Sequence, residues 1–152
     1  MKKLILSMVL VILGTMMLSA QRGSRGWGQN SNYGRMYNPK TVETIVGTVT
    51  AIERRVQDTK MSQGLFLTVK TETETISVHL GPTWYMDNQD IQFQKGDEIR
   101  ITGSRITFEN APAIIVKEVE KNDNILKLRD NNGFPIWSGW RKKNTGKRMI
   151  NR

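Results

Sequence analysis

The chain of 152 residues has no cysteine and a single histidine. Without cysteine there is no disulfide, no thiolate nucleophile and no C-x-x-C-H attachment for haem. A serine nucleophile would have only His79 as its base, and no Ser-His-Asp set has independent support. Zinc and copper centres want several His or Cys ligands, which His79 near Asp87 and Asp90 does not supply. The carboxylates alternate with cations and show no spacing that nominates an acid/base pair. These shortages argue against an enzyme, a bound metal and a cofactor, and leave binding as the expected work. They also leave stability to one hydrophobic core.

Acidic residues are missing from both ends. All 14 lie between Lys40 and Asp130, where 12 basic residues leave a balance of −2. The formal charge of +9 therefore comes from the flanks: Lys2, Lys3, Arg22, Arg25 and Arg35 on one side, then Arg141, Lys142, Lys143, Lys147, Arg148 and Arg152 on the other. Six cations without an acid attract polyanions, nucleic acid among them, without selecting one. Residues 142–152 read either as a solvated basic tail or as a docking segment. The barrel region, with its mixed surface, is not a basic groove.

Long apolar runs are absent except at the start. Lys2 and Lys3 precede an apolar stretch from Leu4 to Leu18, and Ser19-Ala20 gives a small-residue exit before Gln21. This is the pattern of a secretory signal peptide over residues 1–20, and the run falls short of the ~20 residues of a membrane span. The expectation is a bacterial protein, periplasmic or secreted, cut near Ala20, with no retained span and a mature charge of +7 once Lys2 and Lys3 are gone.

Residues 21–40 are rich in Gly, Asn, Arg and Ser, with Trp27, Tyr33 and Tyr37 spaced through them and no apolar period; they read as a flexible linker. Beyond them the period is two. Ile45, Gly47 and Val49 alternate, and Ala51-Ile52 suggests a bulge. Strands are expected at 65–70, 75–80, 98–103, 113–119 and 124–129, separated by turns at Ser62-Gln63-Gly64, Lys95-Gly96-Asp97 and Glu109-Asn110. Five or six short strands with one irregular connection after the third predict an all-β fold: a small closed barrel of OB-like type over 41–141, with an SH3-like barrel or a small sandwich as the alternatives.

That irregular connection carries His79, Trp84, Tyr85, Asn88 and Gln89. Flat aromatic faces with orienting carboxamides suit a binding pocket. The same residues would also serve as a plug for one barrel end, with Asn88 and Gln89 capping backbone groups. His79 alternates with Val78 and is expected to face outward, to a ligand or to water. Trp137 and Trp140 form a second cluster, packed back on the barrel or exposed for a partner.

These clusters carry a resemblance. The runs VHLGPTWYMDNQD, KGDEIRITGSRITFENAPAIIVKEV and LKLRDNNGFPIWSGWR resemble the domain shared by the magnetosome proteins MamS and MamX, over roughly Val42 to Arg141. The resemblance implies a small exported OB-like module; the magnetosome members of the family are linked to iron biomineralisation. MamX-type chains carry haem motifs that this sequence lacks, so electron transfer does not carry over. The expected function is a non-catalytic periplasmic accessory module docked on an envelope protein complex that handles metal or redox traffic. The alternative is a polyanion-binding or nucleic-acid-binding barrel that works through its basic termini.

Overall fold

The computed structural model describes residues 25–139. Six strands run in the order β1 Val42–Arg55, β2 Gly64–Lys70, β3 Thr75–Pro82, β4 Glu98–Phe108, β5 Ala111–Lys121 and β6 Asn124–Lys127. A one-turn helix, α1 Thr83–Met86, follows β3. Strands β3-β2-β1-β4-β5 are antiparallel neighbours, and a parallel pairing of Ser77–His79 with Ala113–Ile115 joins β3 to β5. This closes a five-stranded barrel, with β6 added at the β5 edge. The expectation of an all-β, small closed barrel holds, and the irregular connection expected after the third strand contains α1.

Local chemistry explains the closure. Strand β1 serves both halves of the barrel, pairing with β4 over Val42–Thr48 and with β2 from Thr48 onward. A bulge between Val49 and Ala51 bends it between the two tasks. The hairpin tips Glu109-Asn110 and Asn122-Asp123 both take positive φ, the left-handed pair that a type I′ turn needs. Alternation sorts the side chains. Leu67 faces Val78 and Val69 faces Ile76 across β2 and β3, while Ile101 faces Val119 across β4 and β5. With Val49 and Ile99 they form an aliphatic interior, all at most 2% exposed.

The opposite face of the β2/β3 wall is buried as well, which corrects the flexible-linker reading for its described part, residues 25–40. Trp27, Tyr33 and Tyr37 are buried at 2%, 6% and 8% exposure. The segment lies as a strap over the outer wall. Trp27 packs edge-on to Tyr33 and tilted on Phe66, and its indole N–H donates to the Ser62 carbonyl at 3.0 Å. Asn38 N–H donates to Ser104 Oγ at 2.9 Å, tying the far end of the strap to β4. Gly64 is required where it stands, because a Cβ there would meet the Trp27 ring at 2.3 Å.

The chain beyond β6 locks the strap. Arg129 bridges to Pro135, and Asp130 Oδ1 accepts from the N–H groups of Asn132 and Phe134 to shape the turn between. Gly133, at φ +83°, passes so close under Tyr37 that a Cβ would lie 2.3 Å from its ring. A 3-10 turn, Ile136–Gly139, then sets Trp137 edge-on to Trp27. Trp137 Nε1 donates to the Trp27 carbonyl at 3.1 Å. The outer layer is therefore built from two segments 110 positions apart. The expected signal peptide, Trp140 and the basic residues Arg141, Lys142, Lys143, Lys147, Arg148 and Arg152 lie outside the described residues.

Candidate binding cleft

His79 shows how the layer is built. As its alternation predicts, it leaves the barrel interior, but it meets neither ligand nor water: it is 0% exposed. Its imidazole stacks on Tyr33 and stands perpendicular to Phe66 and Phe108. Nδ1 is hydrogen-bonded to Tyr33 Oη at 3.0 Å, and buried Nε2 has no hydrogen-bond partner. With Tyr33 as donor the imidazole proton sits on Nε2, an N–H among ring faces, which costs less than a bare lone pair there. Burial, followed by the nearby Arg55 and Arg129 charges, pushes the His79 pKa down to about 3, so the ring is neutral. Burial likewise raises the Tyr33 pKa.

Of the other residues singled out in the sequence, those described pack into the core or cap α1. Tyr85 is 5% exposed, half-buried Trp84 stands edge-on to it, and Trp137 is tilted against it. Asn88 donates its amide to the Trp84 carbonyl at 2.8 Å, and Gln89 donates to the Tyr85 carbonyl at 3.0 Å. Both carboxamides therefore cap the last carbonyls of α1, which has too few residues to satisfy them itself. Asp87 pairs with Arg54 at 2.7 Å, a hydrogen bond that holds its carboxyl below the usual range. Trp137 is buried at 2% and packs back on the barrel. His79, Trp84, Tyr85, Asn88, Gln89 and Trp137 are thus brought to neighbouring places, but as scaffold and not around an open pocket.

Arg129, not singled out in the sequence, is 5% exposed, and among the described residues no carboxylate pairs with it. Its guanidinium lies 4.8 Å over the Trp137 ring and donates to the carbonyls of Leu80 and Val116. Carbonyl dipoles and a ring face stand in for the missing anion. Burial lowers its pKa.

The strap and barrel do leave an opening. A cleft of about 520 Å³ lies between the strap and the β1–β2 loop, lined by Tyr33, Met36, Met61, Phe108 and Gln57 with Asn30, Ser31 and Asn32 at its rim. Two thioethers and two aromatic rings give an apolar, adaptable floor. Among the described residues neither amide atom of Gln57 has a hydrogen-bond partner, although both are shielded from solvent. Leaving a desolvated amide unpaired costs about 1–3 kcal/mol. The sequence signal was present in Trp27, Tyr33 and Tyr37: three large aromatics within eleven residues are as wasteful in a linker as two tryptophans are in a tail. Among the described residues no group of three or more His, Asp or Glu side chains could hold a metal ion, and no helix is long and apolar enough to cross a membrane.

A closed five-stranded barrel with an added strand, an aromatic outer layer and a polar-rimmed cleft beneath the strap defines a small all-β barrel protein. Residues 41–126 match the MamS/MamX magnetosome protein family, and the chain belongs to that family. A search of curated proteins found no match. The strap and the Trp137 turn that build the outer layer fall on either side of the matched residues.

Proposed function

We propose that this chain is a non-catalytic accessory protein of the bacterial envelope, exported by residues 1–20 to the periplasm and bound there to an envelope protein of a complex that handles metal or redox traffic. The observation that carries the reading is the cleft: Met36, Met61, Tyr33 and Phe108 offer an apolar seat beside the unpaired Gln57 amide. Membership of the MamS/MamX family suits an accessory role. The partner of this cleft is an exposed apolar side chain on an extended segment, with backbone groups to pair with the Asn30–Asn32 rim. A photo-crosslinking residue placed at Met61 should yield one adduct with an envelope protein in cells, while the same residue at Lys95, away from the cleft, should yield none. Equal labelling from both positions would overturn the cleft as the docking site.

A second reading rests on the six cations beyond Asp130, which would bind polyanions through the tail. Heparin or DNA affinity across a salt series tests it. Removing residues 142–152 should then lower the log-log slope by ~0.9 for each duplex-DNA phosphate that the tail no longer neutralises. An unchanged slope would place such binding on the barrel.

A further inference from the structure

Among the described residues, strand β1 has one side that no strand covers over 42–47. It pairs with β4 from Val42 to Thr48, but β2 joins its other side only from Thr48 onward. In an antiparallel ladder alternate residues turn their N–H and C=O groups away from the partner, so residues 42–47 present an unpaired strand edge. Folded proteins usually cover such an edge, because it is a template for an added strand.

Beside this edge runs a groove of about 780 Å³ between β1 and the β2–β3 loop. Its walls carry Glu43, Glu72, Glu74 and Glu98 against Lys70 and Arg105. Arg105 is held by Glu43 and Glu74. Among the described residues no ion pair engages Glu72 or Glu98. A free strand edge binds an extended segment through main-chain hydrogen bonds, and surplus carboxylates on the walls select a basic one.

We propose that this groove takes an extended basic segment as an added strand, and that its occupant is the C-terminal run of the same chain. Charge complementarity argues for it: Arg141, Lys142, Lys143, Lys147, Arg148 and Arg152 follow the last acidic residue, Asp130. Reach argues for it too. The described chain ends at Gly139, just past Trp137, which packs against Gly81 near the C-terminal end of β3. The groove lies at the other end of β3, beside Thr71–Glu74. Eight strand residues cover about 26 Å, and thirteen residues of tail extend to about 43 Å, which leaves about five for the groove. Arg148 and Arg152 then fall within the groove to face Glu72 and Glu98, with Lys147 at its mouth.

The test is zero-length carbodiimide crosslinking of the full mature chain at low salt, with mass spectrometry of the monomer. The expected product is an amide between Lys147 and Glu72 or Glu98. Raising the salt to about 1 M, where the screening length falls to about 3 Å, should remove it. The pair Glu72→Lys with Glu98→Lys should abolish the crosslink, as should Lys147→Glu with Arg148→Glu. All four changes together should restore it in the reverse sense, from tail carboxylate to groove amine. Hydrogen exchange gives an independent readout: amides of residues 42–47 should exchange roughly tenfold faster in either two-site variant than in the parent or the four-site chain. No tail-to-groove amide in the parent, or no restoration by the charge swap, would overturn the proposal. Amides found only in crosslinked dimers would also overturn it, because they would place the tail in a second copy's groove.

Discussion

The interior of the barrel and the layer strapped over its outer wall share the same two strands and use opposite chemistry. Inside, Leu67, Val69, Ile76 and Val78 are aliphatic and carry no polar atom, so any well-packed set of similar volume would serve. Outside, Phe66 and His79 occupy the alternate positions of the same strands and meet Trp27, Tyr33 and Phe108, with Trp137 packed on Trp27 behind them. Here every polar atom needs an address, and most have one: Trp27 to Ser62, Trp137 to Trp27, Tyr33 to His79. The interior supplies bulk hydrophobic stabilisation, while the outer layer fixes where two chain segments lie and so shapes the cleft.

If the layer is a second core, removing its centre should cost as much as a hole in the first. Trp27→Ala should destabilise by about 3–5 kcal/mol and Leu67→Ala by about 2–5 kcal/mol, measured by urea unfolding. A flexible linker would instead give a Trp27→Ala change near zero. Tyr85→Ala should cost on the order of 3 kcal/mol, because the buried ring packs against Trp137. A docking role for Tyr85 would leave the melting temperature unmoved.

His79 sharpens the comparison through pH. Its folded pKa of about 3 lies below the ordinary 6.5, so the unfolded chain takes up the proton first as the pH falls. The stability of the neutral buried ring is complete above pH 6.5 and is lost below it, at up to about 1.4 kcal/mol per pH unit. Between pH 6.5 and 5 this amounts to about 2 kcal/mol, before paired carboxylates such as Asp87 and Glu74 begin to protonate. Unfolding free energies at several pH values should show this slope in the parent chain and a flat profile in His79→Phe. An equal slope in both would place the proton uptake elsewhere. The smallest effect belongs to Asn88→Ala, which removes one exposed cap on α1 and should cost about 0.5–1 kcal/mol, read as a shift in the urea midpoint.

How much of this was legible in the sequence follows from the range of the signals. The barrel was legible because alternation is local: Ile76, Val78 and Leu80 announce a strand face within five residues, and Glu109-Asn110 announces its turn. The outer layer was not, because its contacts join positions 35 to 110 apart and leave no period. Trp27, Tyr33 and Tyr37 sit among Gly, Asn and Ser, where composition reads as linker, yet the aromatic side chains find partners on β2 and β3. Alternation puts His79 on the correct face, and what the sequence could not supply was the strap that covers it. Trp84, Tyr85, Asn88 and Gln89 stand out as a cluster in the sequence. Their use as packing and caps depends on α1 being one turn long.

The central claim is that the strap is part of the folded domain although it precedes the residues that define the family. It is tested most directly by comparing thermal unfolding of the chain beginning at Gln21 with that of a chain beginning at Thr41. Loss of Trp27, Tyr33 and Tyr37 uncovers Phe66, His79, Phe108 and Trp137 together, and the account predicts a melting temperature lower by at least about 10 °C, since each 1 kcal/mol moves a domain of this size by roughly 3–5 °C. Equal melting temperatures for the two chains would contradict it.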